Sequence, residues 1–318
     1  MSFKETHPLE DDSLPGTSSA TIKKLRDAGI TTLEALVVTP PREVVDFTGM
    51  GLDTAEKAIK TARSIVIPNF MTALDYDREE KTKPKLTTGS QKLDDLLGGG
   101  IETGAITEFY GEFGTGKSQI CMMLTVNVQQ PLEQGGLDGK AAVIDTENTF
   151  KTTRIREMAQ ALGHDADQVL DGILIAPAYN SAHQVTLIES LNNMIQEHNI
   201  KLVVVDSIIV HFRGEYLGRE NLAPRQQKLN YCLNNLRRAA IANDVAIVVT
   251  NQLQSDPQPF KSDKAPGGHV MAHAATVRVR LRKGRDNLRI ARVMDAPHLP
   301  EGEAPFYITE RGVEDGSG

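Results

Sequence analysis

Gly111, Gly116, Lys117 and Ser118 lie in the stretch GEFGTGKSQ at the spacing G-x-x-x-x-G-K-[ST]. Each residue type there has a chemical reason to be present. Glycines let backbone N–H groups wrap an anion, and a helix that follows turns the positive end of its dipole toward the same phosphates. Lys117 would reach the outer phosphates of a nucleotide, and Ser118 would offer a hydroxyl to Mg2+. The strand-like run AITEFY precedes the loop and a helical pattern follows it, which is the context the motif needs.

A phosphate loop needs a metal partner. LVVVD puts Asp206 at the carboxyl end of a buried strand, where open α/β sheets bind their ligands. A carboxylate there would hold Mg2+ directly or through water; the alternative is a cap on the next helix. Hydrolysis also needs a group that orients the attacking water. Glu147, just past the strand AAVIDT, is the better candidate than Asp145, which lies two residues earlier and deeper. Gln252 in TNQ, after VAIVV, stands at a third strand end. A neutral amide there can sense the γ phosphate and pass its presence on, or be an ordinary loop residue.

The elements that must position these residues are legible as a pattern. From residue 86 to residue 318, apolar runs alternate with helical ones: AITEFY, AAVIDT, ILIAPA, LVVVD and VAIVVTNQ are each followed by a helix or a loop. Continuous Val- and Ile-rich runs separated by helices predict a doubly wound α/β domain with a mostly parallel sheet buried on both faces. The tail differs, because ATVRVRLRK, NLRIARVMD and PFYITERG follow one another with short turns and predict an antiparallel extension. In the first of these Arg278, Arg280 and Arg282 share one face and Val277, Val279 and Leu281 the other. That arginine face either extends a basic surface or is the solvated side of an antiparallel pair.

Ahead of this domain, residues 1–13 are polar and acidic without periodicity and are expected to be a disordered tail. Residues 14–64 alternate short helical patterns with glycine turns, a small all-helical unit. Residues 65–85 turn charged and proline-flanked and read as a linker. Two irregular stretches carry basic residues. LQSDPQPFKSDKAPGG follows Gln252, and FRGEYLGRENLAPRQQ, with Arg213, Arg219 and Arg225, follows the Asp206 strand. Long patternless loops in compact domains are usually functional or disordered. Flexible basic segments just downstream of phosphate-sensing residues suggest a polyanion gripped according to nucleotide state.

The chain of 318 residues carries a formal net charge of −7 and 40% hydrophobic residues. It can bury a substantial core, and any nucleic-acid contact must come from local basic patches. Two cysteines exclude a disulfide framework. No charged-then-apolar leader opens the sequence, and the apolar runs are too short to span a bilayer. The expectation is a soluble, cytoplasmic protein without a membrane partner.

Taken together, GEFGTGKSQ, IDTENTF, YNSAHQ, LVVVDS, HFRGEYLGREN, RQQKLN, TNQ, GGH and RIARVMDAPHLPEGE resemble the archaeal RadA recombinases, relatives of bacterial RecA and of the eukaryotic strand-exchange proteins. The resemblance covers nearly the whole chain from about Leu14. It implies a RecA-like ATPase core behind a helix-hairpin-helix domain, and an ATP-dependent enzyme that forms filaments on single-stranded DNA and exchanges strands with a homologous duplex. It implies a nucleotide site built from Gly111, Glu112, Phe113, Gly114, Thr115, Gly116, Lys117, Ser118 and Gln119, with Glu147 activating water and Gln252 coupling the γ phosphate to the following loop. Arg154 matches an arginine that stacks on adenine. His269, Asp295 and Pro300 match segments that reach the nucleotide from the neighbouring subunit, Asp295 with a monovalent cation such as K+. Arg213, Arg219 and Arg225 match a first DNA-binding loop. The second loop spans Leu253 to Pro266 and includes Lys261 and Lys264, with Gly267 and Gly268 at its end. The hairpin domain keeps Gly16, Gly49 and Gly51 but has Ser18 where a second glycine is common.

Phe70 and Ala73, in NFMTA of the linker, have no amphipathic helix to make them core residues. They fit the FxxA pattern by which such subunits add a strand to a neighbour's sheet edge, the alternative being a fold back onto their own core. A ring-forming helicase on the same core and a non-enzymatic paralogue that remodels filaments are the rival readings. The paired hairpin domain and the FxxA linker argue against the first, the intact N-terminal domain and second loop against the other.

Overall fold

The computed structural model describes residues 6–66, 70–253 and 268–316. Strands β1 (Lys85–Leu86) and β2 (Ile101–Glu102) pair antiparallel as a small sheet. The large sheet contains β3 (Ile106–Gly111), β4 (Lys140–Asp145), β5 (Ile173–Pro177), β6 (Ile200–Asp206), β7 (Ala246–Gln252), β8 (Val277–Lys283), β9 (Leu288–Asp295), β10 (Glu303–Thr309) and β11 (Gly312–Glu314). Their order is β11-β10-β9-β8-β3-β7-β6-β4-β5. Pairings from β8 through β3 to β5 are parallel, and those from β8 out to β11 are antiparallel. The doubly wound sheet and its antiparallel extension are both as expected.

Burial on both faces explains the continuous apolar runs. In β6, Leu202 and Val204 join a core with Phe109, Ile120 and Phe306, while Val203 and Val205 join a second with Phe212, Leu229 and Leu236. Successive strand residues point to opposite faces, so a strand covered on both sides must be apolar throughout. Cys121 and Cys232 are buried free thiols. Burial pushes both thiols up, Cys232 to about 12. Among the described residues no helix is long and apolar enough to cross a membrane.

The helical unit comprises Ser19–Asp27, Leu33–Val38, Pro41–Thr48 and Leu52–Val66. They close on a core that includes Ile22, Leu25, Leu36, Val44 and Ile59. Ser18 and Thr32 cap the first two helices with their hydroxyls, and Gly49, at φ +65°, ends the third. Packing begins before Leu14, contrary to the expected tail. Leu9 is buried, its N–H donates to the Thr31 carbonyl at 2.8 Å, and His7 Nδ1 meets the buried Glu34 carboxylate at 2.6 Å. One leucine in an acidic stretch carries no periodicity, so the sequence pattern hides it. The unit is held to the core by Arg238, whose guanidinium donates to both oxygens of Glu43 at 2.7 and 3.2 Å.

Two further expectations need correction. Within the linker, Ala73–Thr82 is a helix with no buried residue. Thr72 caps it, accepting from the Asp75 N–H at 3.1 Å, and Asp77–Lys81 and Asp75–Arg78 pairs at 2.7 and 3.2 Å line its surface. Local capping and ion pairs form it without any apolar face. The first basic segment is also less irregular than its composition suggests. Val210–Glu215 and Leu222–Asn243 are helices, leaving residues 216–221 between them. Buried Phe212 anchors the first, and Glu215 accepts from the Ser181 N–H at 2.6 Å.

In β8 the valine and leucine face is buried as predicted, but Arg278 is not part of a free basic surface. Its Nε donates to Glu108 at 2.6 Å, Glu108 is fully buried, and Asn251 donates to the other carboxylate oxygen at 2.9 Å. The guanidinium also lies 5.3 Å from the Tyr110 ring centroid. Arg282 in turn pairs with Glu303 at 2.8 Å. Arg278→Ala therefore strands a buried carboxylate, and stability should fall by about 3–5 kcal/mol. Urea unfolding checks this; an unchanged midpoint would return Arg278 to the basic surface.

Candidate active site

Strand register sets the site. Gly111 of β3 pairs with Gln252 of β7, and Asp145 of β4 pairs with Asp206 of β6. Four chain segments thus leave the sheet side by side at its carboxyl edge. A cleft of about 610 Å³ opens there, lined by the phosphate loop, Glu147, Arg154, Asp206, Gln252 and the far hairpin.

The phosphate loop has the backbone its glycines permit. Gly116 caps the helix Lys117–Asn127 at φ +101°, and a Cβ on it would stand 2.6 Å from Ile308. A Cβ on Gly111 would lie 2.5 Å from the Leu281 carbonyl. Thr115 is buried and donates to the Glu112 carbonyl at 2.9 Å, so it shapes the loop and does not line the cleft. Phe113 is 89% exposed at the cleft mouth beside Gly114. Lys117 Nζ donates to the carbonyls of Gly111 at 3.1 Å and Glu112 at 2.8 Å. Burial lowers its pKa, and the carboxylates of Asp206 and Glu147 oppose that shift.

Ser118 and Asp206 line one small pocket behind the loop, about 10 Å³ in volume, with Asp145 and Thr149. Asp206 Oδ1 accepts from the Thr250 hydroxyl, and Thr149 Oγ1 lies 3.5 Å from Oδ2. A hydroxyl and a carboxylate form a hard-oxygen donor set that fits Mg2+. Among the described residues no three His, Cys, Asp or Glu side chains group as a metal cage. A divalent ion here would take its remaining oxygens from phosphates and water.

Asp145, the deeper of the two carboxylates at this strand end, anchors a loop. Its carboxylate accepts the backbone N–H groups of Glu147 at 3.2 Å, Thr149 at 3.2 Å and Phe150 at 3.0 Å. This buried anchor folds the segment that carries Glu147 to the cleft wall. The Thr146 N–H donates to the Asp206 carbonyl at 2.9 Å, which ties the segment to β6.

Arg154 lines the cleft as expected, but its charge is already spent. It donates to Gln119 at 2.9 Å, to Glu157 at 3.1 Å, to the Glu310 carbonyl at 3.2 Å and to the Thr309 carbonyl. Its guanidinium is a fixed planar wall. Asn287, Arg289, Thr309 and Glu310 also line the cleft, and sequence reading missed them. They lie on hairpin turns and strand ends that fold back across the phosphate loop, and no local pattern announces that.

Gln252 lines a second cavity too, of about 550 Å³, with Ser207, Arg213, Gly218 and Arg225. Arg213 and Arg225 therefore share a cavity wall with a residue of the nucleotide cleft, while Arg219 is exposed in the intervening loop. Lys261, Lys264, Gly267 and most of the second loop fall outside the described residues. Gly268 and His269 lie in the first turn of the helix Gly268–Ala274. Asp295 and Pro300 are exposed and do not line this chain's own cleft. Phe70 is 98% exposed, and Ala73 is exposed at the start of its helix.

Residues 79–316 match the Rad51 family. The chain is similar to the DNA repair and recombination protein RadA of Ignicoccus hospitalis, 52% identical over 322 residues, which cover 99% of this chain and 98% of that protein. The protein of the same name from Aeropyrum pernix is 52% identical over 304 residues, covering 95% of each chain. That from Metallosphaera sedula is 51% identical over 305 residues, covering 95% of this chain and 94% of the other.

Asp145→Ala should release the Glu147 segment while leaving the phosphate loop in place. Turnover of ATP should fall about 100-fold with nucleotide affinity kept, because a small misplacement of a catalytic group costs that much. Asp145→Asn keeps one acceptor oxygen and should fall between the two. Steady-state hydrolysis with equilibrium nucleotide binding checks this, and parental turnover in Asp145→Ala would dismiss the anchoring role.

Proposed function

The chain belongs to the Rad51 family, and on that premise we propose that it is an ATP-dependent DNA recombinase that assembles on single-stranded DNA, pairs it with a homologous duplex and exchanges strands. The observation that carries this reading is Gln252, which lines both the nucleotide cleft and the cavity of Arg213 and Arg225. One side chain between a phosphate site and a basic cavity is a physical means of making DNA grip depend on the nucleotide.

In this reading the N–H groups from Glu112 to Gln119 and the helix N-terminus hold the phosphates. Lys117 exchanges its two carbonyl partners for phosphate oxygens. Ser118 and Asp206 would hold Mg2+, whose charge would offset that of the phosphates. Glu147 orients and deprotonates the attacking water, and Arg154 supplies a flat surface for the base. His269, Asp295 and Pro300 complete the site from the next subunit, with a monovalent cation such as K+ at Asp295. Arg213, Arg219 and Arg225, with Lys261, Lys264, Gly267 and Gly268, bind DNA backbones, single-stranded and double-stranded. Specificity comes from pairing between strands, since phosphate contacts carry no sequence information.

Joint-molecule formation between a single strand and a homologous duplex tests the whole. The parent should form joints only with ATP, and Lys117→Ala should form none while remaining folded. Gln252→Ala should lose the ATP dependence of single-strand binding. Parental ATP dependence in that variant would remove Gln252 from the coupling.

Subunits would join through Phe70 and Ala73. Phe70 is exposed in its own chain, and β5 ends the sheet on one side with Ile175 41% exposed. An open edge accepts a strand through main-chain hydrogen bonds, and a buried ring sets the register. Burying a Phe side chain stabilises by about 1.5–3 kcal/mol, so losing it should cost about one to two decades in subunit affinity. Phe70→Glu should sediment as a folded monomer. An assembly as large as the parent's would place the joint elsewhere.

A further inference from the structure

Two arginines line the nucleotide cleft, and their surroundings differ. Arg154 has its charge and donors met by the protein, as described above. Arg289, near the start of β9 and paired across the sheet with Phe306 and Lys283, does not. Its Nη1 donates to the carbonyls of Asp286 at 3.1 Å and Leu288 at 2.9 Å. Its Nε is buried without a partner, and no carboxylate pairs with it among the described residues. Burial lowers its pKa with no acidic group acting against the shift. A donor shielded from water without an acceptor is costly, and the rest of the partly buried guanidinium faces the cleft wall, so the arrangement points to a ligand that supplies the acceptor and the anion.

Placement narrows which part of a ligand that is. A Cβ on Gly116 would lie 3.7 Å from Arg289 Cγ, so the arginine stem runs along the backbone just ahead of Lys117. Asn287, Thr309 and Glu310 continue the same wall toward Arg154. Lys117 and the helix N-terminus serve the outer phosphates. Arg289 lies beside Gly116 on the cleft wall that also carries Arg154, within reach of the phosphate nearest the ribose. A guanidinium fork matches phosphate oxygens better than an ammonium does.

We propose that Arg289 is a nucleotide-binding residue supplied by the same subunit, which holds the inner phosphate of the nucleotide common to ATP and ADP. The proposal rests on the reading of the cleft as a nucleotide site. Equilibrium binding of ADP and of a slowly hydrolysed ATP analogue to Arg289→Met and Arg289→Lys tests it. Methionine keeps an apolar stem against Gly116 and Ile308 and removes the guanidinium. Arg289→Met should lose about tenfold or more in affinity for both nucleotides alike, Arg289→Lys should recover part of it, and thermal stability without nucleotide should not fall. ADP bound as tightly by Arg289→Met as by the parent would overturn the proposal. So would a loss that differs between adenine and guanine nucleotides, because Arg289 would then read the base. A parent that binds no ADP would instead overturn the reading of the cleft, a result separable from either.

Discussion

The in-register parallel pairing of β3, β7, β6 and β4 is the constraint on which the rest depends. Adjacent strands lie about 4.8 Å apart, and the register aligns Gly111 with Gln252 and Asp145 with Asp206. Phosphate loop, the Gln252 amide, the Asp206 carboxylate and the Asp145 anchor therefore emerge as one row. A slip of one residue in any strand would turn its functional side chain to the opposite face. The two apolar cores prevent it, since Leu202 and Val204 cannot trade faces with Val203 and Val205 without repacking both. Chemistry at the edge is thus fixed by packing well inside the sheet.

The same row suggests how nucleotide state travels. The Gly111 carbonyl accepts from Lys117 Nζ at 3.1 Å and from the Leu253 N–H at 3.0 Å. Leu253 is the residue at which the chain departs toward the second basic loop. When phosphate draws Lys117 away, that carbonyl keeps a single donor, and the Leu253 bond bears directly on the loop's point of exit. Gln252, its neighbour, faces both cavities. A coupling of sites requires an element whose arrangement both ligands bias, and residues 252 and 253 join the phosphate loop to the cavity of Arg213 and Arg225.

Much of this was legible in the sequence. The phosphate loop, the strand ends bearing Glu147, Asp206 and Gln252, and the sheet class follow from local patterns, because each depends on spacing within one element. What was not legible depends on contacts distant in sequence. Arg289 and Thr309 reach the cleft only because the antiparallel extension folds back over Gly116, far upstream. Arg278 reads as surface from its alternation, and only the pairing of β8 with β3 brings it to Glu108. Leu9 shows another limit: a single apolar residue has no period, yet it seals the core of the helical unit. The Ala73–Thr82 helix did leave a signal, Thr72 with Asp75 three residues on, which the charged composition masked.

An acidic chain that binds a polyanion must place its cations selectively. Here many arginines are tied to carboxylates: Arg26 to Asp11, Arg156 to Asp167, Arg238 to Glu43, Arg278 to Glu108 and Arg282 to Glu303. Such pairs present little net field to a distant phosphate. Arg213, Arg219 and Arg225 have no carboxylate partner among the described residues, and Glu215 in the same segment is turned to Ser181. Cations without a carboxylate partner thus stand at the Gln252 cavity, while the net charge of −7 disfavours a polyanion over the surface at large. With the cations so placed, counterion release on binding a polyanion would come from a few defined contacts, and a movement of residues 252 and 253 that shifted those contacts would change much of the grip at once.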